Sequence, residues 1–157
     1  MTLAICHNED DTVVLDCLRE RKPPFKPSDV AAEFIETLQR YHVTIVYGDR
    51  FAGEWCRQPF RDQNIFYKLA DRPKSDLYRD TLPILNSRTV SLLDNRVLIG
   101  QLTSLERSTG STGRDKIDHP RGGHDDVCNA ACGAIVLATQ KRRRFEPLVE
   151  IGLPYVG

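Results

Sequence analysis

Two adjacent carboxylates, Asp125 and Asp126, lie between a Gly-Gly-His turn and an apolar run of small residues at 127–138. Neighbouring carboxylates repel each other, so a buried pair is stabilised mainly by hydrogen bonds, a helix N-terminus or a bound cation. Because Asp is also common at helix starts, helix capping and metal ligation both remain open for this pair. His124, directly before it, either orients a carboxylate or phosphate or is a structural residue.

A third acid, Asp49, follows a β-branched and aromatic segment at 42–48 that predicts a buried strand. Ligands of open α/β sheets gather at the carboxyl ends of the strands, so the position of Asp49 makes it a candidate site residue. The alternative is an ordinary loop start, since a Gly-Asp dipeptide after a strand is a common turn.

Basic residues surround a Gly- and Ser-rich stretch at 108–113, just before the acidic pair; they are Arg107, Arg114, Lys116 and Arg121. A cationic rim beside an acidic centre suits phosphodiester chemistry, because the rim holds phosphates while the acids hold metal. A solvated hairpin explains the same composition. A second basic cluster, Lys141-Arg142-Arg143-Arg144, follows the predicted last helix and either complements its C-terminal dipole or binds phosphate.

The composition indicates one ordinary domain: 157 residues, 40% apolar and 28% charged, with 22 basic and 22 acidic side chains. This balance gives no overall charge that would indicate nucleic acid. The five cysteines have no CxxC spacing, which argues against a disulfide framework or zinc knuckle and predicts a reducing, cytoplasmic setting. No apolar run approaches the roughly 20 residues of a membrane span.

The elements that position these residues alternate between strands and helices. The sequence predicts a hairpin from 2–6 and 12–18, then a helix capped by Ser28 whose apolar residues Val30, Ala31, Phe34, Ile35 and Leu38 fall at helical spacing. Five further elements follow: a short helix at 53–60, a strand at 65–69, a helix at 76–85 capped by Ser75, a strand at 90–93 and a helix at 96–106. The predicted class is α/β.

Five motifs occur in a fixed order over most of the chain. They are Val46-Tyr47-Gly48-Asp49-Arg50-Phe51-Ala52-Gly53-Glu54-Trp55, Lys74-Ser75-Asp76-Leu77-Tyr78, Leu92-Leu93-Asp94, Gln101-Leu102 with Leu105-Glu106-Arg107, and Ile117-Asp118-His119-Pro120 leading into His124-Asp125-Asp126-Val127-Cys128-Asn129-Ala130. In this order and spacing, the chain resembles the nuclease domain of the large terminase subunit of tailed bacteriophages and prophages. The resemblance covers residues 1–145 and leaves 146–157 as a C-terminal tail.

The resemblance implies a ribonuclease H-like mixed sheet flanked by helices and a two-metal DNA endonuclease. Asp49 then corresponds to the acid at the end of the central strand, and Asp125 and Asp126 to those on the last helix, with Asp126 ranked slightly first. These acids hold two Mg²⁺ or Mn²⁺ ions about 4 Å apart. Double-stranded DNA is the implied substrate, and the terminase motor domain, the small subunit and the portal are the implied partners, all in the bacterial host cytoplasm.

One departure from the family pattern concerns the first strand of the sheet. Family members carry a further metal-binding Asp on a strand that precedes the hairpin, whereas this sequence begins at the hairpin and contains no Walker-type loop. We therefore expect a sheet with its first strand missing, unpaired backbone groups beside the hairpin, one bound ion and impaired cleavage. The alternatives are a non-catalytic DNA-binding or packaging-assembly module, as in a prophage relic, and an unrelated α/β domain whose acids are caps.

Overall fold

The computed structural model describes residues 1–48, 57–109, 115–140 and 148–152. The strands are β1 (Thr2–Glu9), β2 (Thr12–Glu20), β3 (Ile45–Gly48), β4 (Phe66–Leu69), β5 (Val90–Ser91), β6 (Glu106–Thr109), β7 (Asp115–Asp118) and β8 (Leu148–Gly152). The helices are α1 (Pro27–Arg40), α2 (Gln58–Asp62), α3 (Lys74–Asn86), α4 (Arg96–Ser104) and α5 (Asp126–Gln140). None of the helices in these ranges is long and apolar enough to cross a membrane.

The main sheet is mixed and has the strand order β4-β3-β8-β1-β2-β5. Strand β8 lies in its middle, antiparallel to β1 and parallel to β3. The expectation of unpaired backbone groups beside the hairpin is therefore wrong. Strand β1 pairs with β2 on one side and with β8 on the other. The segment expected to be a tail supplies this central strand, which satisfies the backbone hydrogen-bonding groups of both neighbours.

Helices cover both faces of the sheet because side chains alternate along β1. Leu3 and Ile5 belong to the core that contains α1, whereas Ala4 and Cys6 pack in the core that contains α5. The two β1 side chains on the α5 side are small, and α5 itself contributes the buried alanines Ala130, Ala131, Ala134 and Ala138. Small residues on both surfaces allow the helix to lie close against the strand.

Most predicted elements are confirmed within these ranges. The hairpin forms, and all five apolar residues predicted for α1 are buried. The capping predictions are wrong, because Lys26 and Pro73 occupy the N-cap positions of α1 and α3 and neither makes a side-chain cap hydrogen bond. Strands β6 and β7 pair as an antiparallel hairpin, as the alternative interpretation predicted, and residues 110–114 between them lie outside the described residues. The cysteines Cys6, Cys17, Cys128 and Cys132 are buried thiols without disulfides, and Cys56 lies outside the described residues.

Candidate metal centre

Asp125 lies at the entrance to α5 and is buried, with 8% of its surface exposed. Its Oδ2 accepts a hydrogen bond from the Tyr78 hydroxyl at 2.7 Å and another from Lys74 Nζ at 2.9 Å. Both donors come from α3, which packs against α5. A buried carboxylate needs such partners because desolvation strongly disfavours an isolated charge.

Asp118 ends β7 and faces the same lysine. Its Oδ1 lies 2.5 Å from Lys74 Nζ, and its Oδ2 lies 2.8 Å from Lys116 Nζ. Oδ1 also accepts a hydrogen bond from the backbone N–H of His119 at 3.0 Å. Burial opposes ionisation, but the hydrogen bonds from Lys116, Lys74 and His119 outweigh it and hold the pKa of Asp118 well below its usual range.

The imidazole of His119 completes the cluster. Its Nδ1 lies 2.9 Å from the Pro120 carbonyl oxygen. Since a carbonyl oxygen only accepts, Nδ1 donates to it, which leaves Nε2, 3.8 Å from Asp118 Oδ1, as the ring nitrogen available to a cation. One ligand atom each from Asp118, His119 and Asp125 can be chosen so that all lie within 4.8 Å of one another.

Two hydrogen bonds and one glycine turn position the segments around this cluster. The backbone N–H of Ile117 in β7 donates to the Ser75 hydroxyl of α3 at 2.9 Å. The first-turn N–H of Cys128 donates to the Gln101 side chain of α4 at 2.8 Å. In the connection from β7 to α5, Gly122 has a φ of +80°, a conformation that residues with a Cβ rarely adopt. The site is thus built on the ends of regular elements.

The predicted site residues fall into different positions. Asp125 is in the cluster, whereas Asp126 is half-buried and its carbonyl oxygen accepts from the Thr2 hydroxyl at 3.1 Å. Burial, and then the adjacent charge of Asp125, raise the pKa of Asp126. His124 is exposed, and neither it nor Asp126 belongs to the described three-residue group. Asp49 lies outside the described residues, so its role stays a prediction.

The predicted cationic rim is described in part. Arg107 and Lys116 lie on the two strands of the β6–β7 hairpin, and Arg121 is exposed in the turn that follows. Lys116 pairs with Asp118, so this predicted member of the rim also neutralises the negative charge of an acid in the cluster. Arg114 and the cluster Lys141-Arg142-Arg143-Arg144 lie outside the described residues, and phosphate binding by any of these groups stays a prediction.

No role was predicted for Lys74, Tyr78, Asp118 or His119, although all four lie in the motifs that carry the resemblance. Lys74 and Tyr78 are four residues apart in α3 and share a helix face, but the predicted helix began at residue 76, so this spacing was not recognised. A lysine and a tyrosine on one face could have suggested a pair of donors for a buried acid.

No protein-family model matches the sequence, and no curated protein matches it. Solved structures do match. The large terminase nuclease from thermophilic phage G20c has a TM-score of 0.65 and 17% identity, over 88% of this chain and 82% of that chain. Its magnesium-bound form has a TM-score of 0.63 and 19% identity, over 82% and 68%. The Thermus phage P74-26 large terminase nuclease domain has a TM-score of 0.64 and 16% identity, over 92% and 83%.

These likenesses define the fold of the chain. It is the mixed α/β fold of large terminase nuclease domains, with a mixed sheet between helices, as the sequence predicted. The phage G20c nuclease has also been solved with bound cobalt. The metal-ligating residue types gathered where β7 leads into α5 are compatible with a cation in this chain as well.

Proposed function

We propose that this chain is the metal-dependent DNA endonuclease domain of a phage DNA-packaging terminase. The observation that carries the proposal is the convergence of Asp118, His119 and Asp125 in a chain with the terminase nuclease fold. Asp49 and Asp126 are proposed as further acids of the same centre. Its substrate is double-stranded DNA, and its partners by resemblance are the motor domain, the small subunit and the portal in the host cytoplasm.

The donor set fits a divalent cation. Carboxylate oxygens are the ligands that Mg²⁺ and Mn²⁺ prefer, and one neutral imidazole nitrogen is compatible with Mn²⁺. When bound, such an ion supplies an activated water and stabilises the leaving oxygen of the phosphodiester. The protein's own contribution is to fix the donors: Tyr78 holds Asp125 from one side, and Lys116 holds Asp118 by the oxygen that Lys74 does not contact.

A nicking assay on supercoiled DNA with Mn²⁺ tests this function. Asp125→Asn and Asp118→Asn should each lower the nicking rate by about 100-fold. Loss of a residue that only supports a metal ligand already costs up to about 100-fold, so loss of a ligand should cost no less. Asp29→Asn in the first turn of α1 removes a carboxylate on the other face of the sheet and should change little. Nicking that survives a chelator, or that Asp125→Asn leaves intact, would refute the metal-dependent mechanism.

One observation favours a second candidate, a non-catalytic DNA-binding or packaging-assembly module. Lys74 pairs with both Asp118 and Asp125, and Lys116 pairs with Asp118, as in a purely structural ionic network. This candidate predicts salt-sensitive duplex binding without nicking at any Mn²⁺ concentration, and the assay above separates the two.

A further inference from the structure

Lys74 occupies a position that helix stability does not explain. It is the first residue of α3, directly after the N-cap Pro73. The positive end of the helix dipole lies there, so a cation in the first turn is unfavourable. Partial burial also works against its charge, yet the ammonium contacts both Asp118 and Asp125. The acids that it contacts account for its placement.

The ammonium lies between the two carboxylates as a shared cation. Its Nζ is 2.5 Å from Asp118 Oδ1 and 2.9 Å from Asp125 Oδ2. Mg²⁺ binds oxygens at about 2.0–2.1 Å, so an ion held by the same two oxygens would lie close to where Nζ lies now. A univalent and a divalent cation this close repel each other strongly, so occupancy of these oxygens by one cation disfavours the other.

Other groups hold the carboxylates in place independently of Lys74. Tyr78 donates to Asp125, while Lys116 and the His119 N–H hold Asp118. The side chain of Lys74 is also 36% exposed, so solvent is available to it if it leaves. The two acids can therefore keep their positions while the cation between them changes.

We infer that Lys74 is the resident counter-ion of this site and competes directly with the divalent ion. The metal binds by displacing the ammonium from Asp118 and Asp125, and Lys74 thereby sets the metal concentration at which the site fills. This inference rests on the proposed function, because Lys74 would regulate the same metal centre. The apparent affinity for metal is lowered by the fraction of molecules in which Lys74 occupies the oxygens.

Mn²⁺ titration of the whole chain, followed by calorimetry, tests the competition. Lys74→Met should tighten Mn²⁺ binding by about tenfold or more, because it removes a charge that competes at contact distance. Lys74→Arg keeps a cation at the carboxylates and should not tighten Mn²⁺ binding. Lys22→Met, which removes an exposed lysine 3.9 Å from Glu20, measures the effect of losing one charge elsewhere. In an Asp118→Asn background, Lys74→Met should tighten Mn²⁺ binding by less than it does in the parent if the gain arises at these oxygens.

A measurement on the unmutated protein covers the case in which Lys74→Met does not fold. Labelling with an amine-reactive reagent, read by mass spectrometry, should modify Lys74 several-fold faster in Mn²⁺ than in its absence. Unchanged or slower labelling overturns the inference. The inference is also overturned if Lys74→Met binds Mn²⁺ no more tightly than Lys22→Met does, or more weakly than the parent. In that case Mn²⁺ binding by the parent still supports the proposed function. A complete lack of Mn²⁺ binding by parent and variants overturns both.

Discussion

Tyr78 and Asp125 face each other in the interior, with the tyrosine hydroxyl donating to Oδ2 of the carboxylate at 2.7 Å. Burial, and then the neighbouring Cys128 and Asp125, hold the pKa of Tyr78 far above its usual range. The hydroxyl is therefore protonated at neutral pH and donates to Asp125. This contact orients the carboxylate that the last helix presents to the candidate metal centre.

Replacing Tyr78 by Phe should lower the free energy of unfolding by about 1–3 kcal/mol, because the buried carboxylate loses a donor without gaining water. Urea unfolding measures the loss. Tyr41→Phe is the matched control, because the Tyr41 side chain is exposed and its hydroxyl makes a long contact, 3.5 Å, with the Asp16 carbonyl oxygen. That change should cost about 0.5 kcal/mol or less. Equal losses would show that Tyr78 contributes nothing specific to Asp125.

The lowered pKa of Asp118 gives a pH dependence of stability with a definite sign. A carboxyl whose folded pKa lies below its unfolded value of about 4 contributes stability above that pH and loses the contribution as the pH falls below it. Asp118→Asn should therefore reduce stability at pH 7, and the difference from the parent should shrink below about pH 4. Urea unfolding in chelator at several pH values measures it, and a difference that grows towards acid contradicts the ionic network.

The sequence predicts those parts of the fold that depend on neighbours in the chain. In α1 the five apolar residues repeat at helical spacing, and in β1 and β2 a polar turn separates two apolar segments, so local patterns determine both elements. The N-cap predictions for Ser28 and Ser75 were wrong although a hydroxyl before an apolar run is a common cap. The Ser75 hydroxyl instead accepts the backbone N–H of Ile117, which is 42 residues away.

The candidate site could be predicted only in part, because its contacts are distant in sequence. Lys74 and Asp125 are 51 residues apart, and no local periodicity shows that an ammonium from α3 lies between two carboxylates. Asp125 was recognisable because it stands beside another acid at a helix start. The place of β8 was hidden for the same reason, since its partners β1 and β3 come much earlier in the chain.

Strand β8 should be essential to the sheet rather than dispensable. Removing residues 146–157 leaves β1 and β3 without the strand between them, and a central strand supplies hydrogen bonds to both neighbours. Val149→Pro tests the same point with one residue, because Val149 pairs with Ile5 and Val46 and proline lacks the N–H that a ladder requires. Each change should cost at least about 2 kcal/mol in urea unfolding. A truncated chain as stable as the parent would mean that β8 adds nothing to the sheet.

Phosphate binding by the cationic rim should appear in the salt dependence of duplex affinity. Each phosphate contact contributes about −0.9 to the slope of log affinity against log salt concentration, so Arg121→Ala should weaken binding and reduce the slope by about 1. Arg121 is the sharpest choice because it is exposed in the turn before α5, close in sequence to Asp118 and Asp125. Arg107→Ala and Lys116→Ala should act in the same direction, and Arg114→Ala tests the remaining predicted member.

Arg40→Ala provides the control for this series, because Arg40 lies at the end of α1 and pairs with Glu36 on the same helix. It removes the same charge at a distance from the rim, and the salt slope should stay unchanged. Labelled duplex titrated at several salt concentrations, without divalent ions, separates binding from cleavage. If Arg121→Ala and Arg40→Ala shift affinity and slope equally, the duplex responds to net charge alone, and the proposed phosphate contacts at the β7–α5 turn are not formed.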